Sequence, residues 1–323
     1  MTSAPHVISA ELASVSHPPS PRPAEIGATT FPILVAVAAD DVTTSTVRLA
    51  EELAAERGAA PTLLYVMELA PIATLDGGIG VEMLTQTLLD PAVRVHDEAL
   101  LRQTCRVDTG VSAAWPFIVD IGDAASSIVV QARKMGAQLI VMGLRHHNAV
   151  GRALGTDTLR DVLSLGGMPV LAVRPELTAL PQSIVVAIDF SRASVRAARL
   201  ARRLLADDGT MHLVFVASTA ADATAESEEG QHLIETQGIE MTFAQVRNML
   251  DPGPRMKIVS VTRRGDPVAE LKAVCEEIQP ELVAIGSQRH PFLERLLIGS
   301  VTKAIAGDGR WSVLVTPPTA AHH

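Results

Sequence analysis

The sequence predicts an α/β fold built twice: two tandem doubly wound domains, each a mostly parallel five-stranded sheet flanked by helices. Three observations carry this. Short aliphatic runs of strand length alternate with stretches whose apolar residues recur at helical spacing. The whole series then starts again halfway along the chain, with Gly122-Asp123 and Gly265-Asp266 separated by 143 positions and Gly143 and Gly286 by the same interval. Finally, 47 % of the 323 residues are hydrophobic but only 3 % are aromatic. The core is therefore built from Val, Leu, Ile and Ala, which suits parallel sheets buried on both faces.

Residues 1–30 hold Pro5, Pro18, Pro19, Pro21 and Pro23 without any periodicity and read as a flexible tail. Ile33 to Val37 is the first strand. Val47, Ala50, Leu53 and Ala54 then form a helix face opposite Arg48, Glu51 and Glu52. Leu63 to Val66 is the second strand, a Gly-rich loop at Asp76-Gly77-Gly78 leads into a mostly helical stretch from Val81 to Arg106, and Phe117 to Val119 is the third strand. A helix with Ala125, Ile128, Ala132 and Met135 on its apolar face precedes the fourth strand, Leu139 to Met142, and Val170 to Val173 is the fifth. Residues 31–175 thus form the first domain, 176–182 a linker, 183–317 the second domain and 318–323 a tail.

In the second copy the strands are Ile184 to Ile188, His212 to Val216, Ile258 to Val261, Leu282 to Ile285 and Val313 to Val315, and Val195, Ala198, Ala201 and Leu204 repeat the first helix face. Gly-Asp opens the helix before the fourth strand in both copies, and Pro267 at the first helical position of the second fits an Asp N-cap. The acidic run from Glu226 to Glu229 reads as a solvated loop or helix start.

Several function classes are excluded or disfavoured. The two cysteines, Cys105 and Cys275, stand 170 positions apart, which rules out a zinc ribbon, a redox pair and a disulfide scaffold and fits a reducing, cytoplasmic setting. Cys275 continues the apolar face of Val268, Leu271, Val274 and Ile278 and reads as core. No apolar run is long enough to span a bilayer, and no export signal is visible. A net charge of −9 without a basic cluster argues against nucleic acid as the partner. No Walker loop, nucleophile elbow or Ser/His/Asp arrangement appears. His147 and His290 occupy equivalent positions and read as exposed loop residues rather than metal ligands.

In an open parallel sheet, ligands bind beyond the C-terminal ends of the strands. There the second copy places Asp189 after its first strand, then Gly286-Ser287-Gln288-Arg289-His290 after its fourth, and Gly299-Ser300-Val301-Thr302 at the start of its last helix. Glycines admit a phosphate close to the backbone, a helix N-terminus favours an anion, Ser300 and Thr302 carry hydroxyl donors, and Asp189 can accept from a ribose or base. The competing reading is a plain helix cap at Gly299-Ser300 and a strand end at Gly286.

Position and order of these residues resemble the universal stress protein family, twice over, across nearly all of residues 31–317. The nucleotide-binding branch of that family carries Gly, two residues, Gly, nine residues, then Gly followed by Ser or Thr. Gly286, Arg289, Gly299 and Ser300 reproduce the spacing, with Arg289 in place of the second glycine. The resemblance implies a Rossmann-like fold and adenine nucleotide contacts at Asp189, Val216, Gly286, Gly299, Ser300, Val301 and Thr302, with Ser287 and Arg289 in the same loop. Arg289 either fills the phosphate space or pairs with phosphate oxygens.

The first copy departs further. Ala38 stands in place of the aspartate, Gly155-Thr156 comes one residue early after Gly143-Leu144-Arg145-His146-His147, and Asp157 adds a carboxylate at the helix mouth. The first domain is therefore expected to be a degenerate site. The resemblance further implies that the two copies pair antiparallel through their fifth strands as an intramolecular pseudo-dimer, with association into a homodimer left open. The function expected is a stress-response protein that binds an adenine nucleotide, ATP with or without magnesium, as a regulatory ligand. An interaction module without nucleotide and a slow ATP hydrolase are the alternatives; no catalytic residue is identified.

Overall fold

A computed structural model of the chain describes residues 31–38, 41–67, 110–144, 156–217, 228–251, 253–287 and 299–317. The tail at 1–30, the helical stretch from Val81 to Arg106 with Cys105, and the loop carrying Arg289 and His290 lie outside the described residues, as does His147.

The first half runs β1 (Phe31–Val37), α1 (Asp41–Arg57), β2 (Ala59–Met67), a 3₁₀ turn (Gly110–Ala114), β3 (Phe117–Ile121), α2 (Ala124–Lys134), β4 (Leu139–Gly143), α3 (Thr156–Gly166) and β5 (Val170–Val173). The second runs β6 (Ser183–Ala187), α4 (Arg192–Leu204), β7 (Thr210–Ala217), α5 (Glu228–Leu250), β8 (Lys257–Arg264), α6 (Pro267–Ile278), β9 (Leu282–Gly286), α7 (Ser300–Asp308) and β10 (Ser312–Thr316). All ten expected strands are present, several of them longer than expected by a residue or more at an end.

They form one sheet in the order β3-β2-β1-β4-β5-β10-β9-β6-β7-β8. Every neighbouring pair is parallel except β5 and β10, which run antiparallel with Val313 beside Ala172 and Val315 beside Val170. That seam joins two edges that would otherwise offer unpaired backbone groups.

Strand alternation sorts the core into two layers. Ile33, Val35 and Val37 face α1, while Leu34 and Ala36 face α2 and α3. In the second half Ile184 and Val186 lie on the layer of α4 and α5, and Val185 on the layer of α6 and α7. Both layers run through both halves. Cys275 is fully buried in the second layer, as its place on the apolar face predicts, and burial pushes its thiol up to about 12.

The Gly-Asp signals are N-caps in both halves. Asp123 accepts from the Ser126 amide at 2.8 Å, and Asp266 from the Ala269 amide at 2.9 Å. The helix α5 begins at Glu228, inside the acidic run, and extends for 23 residues. Its buried Phe243, Val246 and Leu250 recur at helical spacing and hold it to the sheet.

Candidate functional site

In each half the strand order reverses direction beside the first strand: β6 lies between β7 and β9, as β1 lies between β2 and β4. Connections leave such a strand on opposite sides of the sheet, which opens a crevice at the C-terminal ends of the strands. In the second half this crevice is a cavity of about 270 Å³. It is walled by Ile188 and Asp189 after β6, Val214 and Val216 of β7, Ile285 and Gly286 of β9, Pro267 and Leu271 of α6, and Val301 of α7.

The chain leaving β6 is held in a defined turn. The Ile188 amide still donates to the Val214 carbonyl at 2.8 Å, and Asp189 accepts from the Ser191 amide at 3.0 Å. Between them Phe190 has φ of +58°, a conformation that a bulky residue adopts only under constraint. Its ring is pinned against Phe215 at 4.9 Å and edge-on to Phe243 at 5.2 Å. That aromatic trio turns the backbone so that exposed Asp189 stands at the cavity mouth. Ser191 then caps α4 by accepting from the Ser194 amide.

Gly286 has a packing role that the phosphate argument did not contain. A Cβ there would lie 2.4 Å from the Ala193 carbonyl carbon and 2.4 Å from the Ser194 amide nitrogen, so the first turn of α4 rests directly on the glycine backbone. Gly299 is different. It is the N-cap residue of α7 with no side-chain cap, and a Cβ would meet nothing within 4 Å among the described residues. The first-turn amides of α7 have no acceptor within their own helix and, among the described residues, no capping side chain.

Of the nine residues singled out by sequence, Asp189, Val216, Gly286 and Val301 line the cavity. Ser287 is buried beside it, with its amide donating to the Thr316 carbonyl at 2.8 Å. Gly299 and Ser300 are exposed at the start of α7. Thr302 is 1 % exposed, on the same helix face as Ile305 and Ala306. Arg289 lies outside the described residues. Sequence reasoning missed Pro267 and Leu271, although the Gly-Asp-Pro signal placed the first turn of α6 at this end of the sheet.

The lining is aliphatic apart from the Asp189 carboxylate, the one ionisable group among the described walls. Among the described residues no group of three His, Cys, Asp or Glu is arranged to hold a metal, and no helix is long and apolar enough to cross a membrane. Chemically, the cavity can take a flat apolar body, offer one acceptor at its mouth, and present backbone donors at the end of α7.

Comparison with known proteins agrees with this architecture. The sequence profile of the universal stress protein family matches residues 30–174 and again 181–317. Among solved structures, a universal stress protein from Archaeoglobus fulgidus is similar over 90 % of this chain and 99 % of its own, at 17 % identity and a TM-score of 0.56. A putative universal stress protein from Pseudomonas aeruginosa is similar over 90 % and 94 %, at 16 % identity and a TM-score of 0.59. At such identities the likeness is one of fold. No curated protein matches the sequence.

Proposed function

With the chain's membership of the universal stress protein family as premise, we propose that this stress-response protein binds an adenine nucleotide, ATP first among them, as a regulatory ligand in its second half. The observation that carries the proposal is the pairing of an aliphatic cavity with an uncapped helix end beside it.

The division of labour follows from the chemistry of each wall. The cavity volume, about 270 Å³, lies just below the usual range for small-molecule pockets and suits the base and sugar rather than a whole nucleotide. Val214, Val216, Leu271 and Ile285 give the base apolar surface on several sides. Asp189 accepts from ribose hydroxyls at the mouth. The phosphates then extend toward Gly299, where first-turn amides without acceptors in their own helix and the positive end of α7 favour negative charge. Magnesium would be held mainly by phosphate oxygens and water, the usual arrangement for that ion.

Titration calorimetry of the full chain with ATP tests this directly. The expected result is saturable binding that Gly299→Glu abolishes. The substitution is compatible with the backbone, because φ at Gly299 is −57° and the added Cβ has no described atom within 4 Å. It sets a carboxylate where phosphate is expected. Absence of saturable heat at millimolar ATP, or undiminished affinity in the variant, would overturn the reading.

A further inference from the structure

At the opposite end of the second half, where β7 and β8 begin, lies a second and larger cavity of about 500 Å³ between the two halves of the chain. Its walls come from the end of α1, the end of α4 with the turn that follows, and the segment Gly253–Met256 ahead of β8. Four arginines, Arg57, Arg202, Arg203 and Arg255, line it together with Glu56 and Asp207. A formal surplus of two positive charges therefore sits in one pocket of a chain whose net charge is −9.

The four arginines are not equally occupied. Arg57 is committed to structure: its guanidinium donates to the Arg203 and Leu205 carbonyls at 3.1 and 2.8 Å and to Asp207 at 2.8 Å, tying α1 to the end of α4. Arg202 spends one terminal nitrogen on the Asp251 carbonyl at 2.6 Å, and its Nε is buried with no acceptor among the described residues. A buried donor left unpaired is costly, and native structures seldom leave one unsatisfied without a reason. Arg203 makes no hydrogen bond or ion pair among the described residues. It lies over the Phe31 ring at 3.8 Å, and burial without a carboxylate partner lowers its pKa. Arg255 is 72 % exposed at the rim, 3.8 Å from Asp207.

We propose that this cavity is a second anion site, distinct from the nucleotide cavity, which takes a small phosphate-type oligoanion between the Arg202, Arg203 and Arg255 guanidinium groups. Guanidinium forks match phosphate oxygens two at a time, and Arg203, without a hydrogen bond among the described residues, and Arg255 at the rim have such forks to offer. Asp207 already competes for Arg255, so the site discriminates against weak monovalent anions and for multiply charged ones. Because the pocket is shared by α1 of the first half and α4 of the second, an occupant would brace the two halves against each other.

Inorganic pyrophosphate is the probe, titrated calorimetrically into the full chain and into the Gly299→Glu variant, whose uncapped helix end is closed. Saturable binding is expected in both. Arg202→Gln with Arg203→Gln should weaken it at least about tenfold, the loss of one or more charge-assisted hydrogen bonds. Arg255→Gln, at an exposed position that folding does not depend on, should weaken it by a smaller factor. Binding that is absent at about 10 mM, insensitive to both sets of substitutions, or lost in Gly299→Glu alone overturns the proposal, and tighter binding of succinate than of pyrophosphate overturns its phosphate character. Failure of ATP binding with pyrophosphate binding intact would count only against the nucleotide reading.

Discussion

The two halves close the end of their first strand with the same backbone device and finish it with different chemistry. Ile33 pairs with Leu139 and Ile184 with Leu282, so Ala38 corresponds to Asp189, Thr43 to Ser194 and Gly143 to Gly286. In each half the amide after the strand donates to the hydroxyl five residues on, Ala38 to Thr43 at 2.9 Å and Asp189 to Ser194 at 3.4 Å. Thr43 is buried and also donates back to the Ala38 carbonyl, which closes that turn on itself. In the second half the same turn presents a carboxylate to a cavity. The same turn thus serves in both halves, and at the position after the strand the second half has a carboxylate at a cavity mouth where the first has Ala38.

The glycines that end β4 and β9 give the largest test of that equivalence. Alanine at 286 would drive a Cβ into the backbone of Ala193 and Ser194, which cannot yield without moving α4. Alanine at 143 would meet mainly the Val42 side chain, 2.7 Å from its Cγ1. A side chain can shift, although a valine in a helix has little rotamer freedom. Overpacking of this kind costs about 1–3 kcal/mol and sometimes more. We expect Gly286→Ala to destabilise by about 3 kcal/mol and Gly143→Ala by about 1 kcal/mol in urea unfolding. Equal losses would mean that the helices rest on the two halves in the same way.

That glycine also shows where sequence reading reaches its limit. The ten strands were legible because parallel strands buried on both faces are continuous aliphatic runs, and the Asp caps because they act on amides three residues away. Gly286 touches α4 more than ninety positions earlier in the chain, and no local pattern encodes that contact. The helix α5 was hidden for another reason: Gly230 and Gly238 interrupt it, each costing about 1 kcal/mol relative to alanine, and tertiary burial of Phe243, Val246 and Leu250 compensates. Within the candidate site, Asp189 and Val216 could be found because they follow or end strands. The burial of Thr302 follows from its apolar companions Ile305 and Ala306 at helical spacing, a pattern that the motif alone does not carry. The arginine cavity joins residues of both halves and was invisible in either alone.

Acid stability offers a second, smaller contrast. Asp308, at the end of α7, is held down to about 2 by hydrogen bonds from Arg310 and Lys272, and Lys272 approaches it within 2.6 Å. In the first half, the last turn of α3 carries Ser164 and exposed Leu165 and has no carboxylate. A carboxylate whose folded pKa is depressed stabilises the protein above its ordinary value near 3.8 and loses that contribution as pH falls toward 2. Asp308→Asn is therefore expected to cost about 1–2 kcal/mol at neutral pH, in line with charge-assisted hydrogen bonds, and nothing below about pH 2. Thermal unfolding from pH 7 to pH 2 would show the two chains converging. A constant gap across that range would place the effect in packing instead.

The smallest expected effect bears most directly on what separates the halves. Asp189 is exposed and accepts a hydrogen bond from the Ser191 amide, so Asp189→Ala should lower the melting temperature only slightly. If its carboxylate accepts from a ribose, ATP affinity should fall about tenfold, close to 1.4 kcal/mol. The reciprocal change, Ala38→Asp, should not create a second site. A carboxylate there would meet a turn already closed by Thr43, and the sequence adds an acidic residue, Asp157, in the first turn of α3, a charge that would oppose phosphate. Calorimetric stoichiometry distinguishes the outcomes: one nucleotide per chain in the Ala38→Asp variant supports the division of labour. Two would mean that a single aspartate suffices and that the first half is a site awaiting one residue.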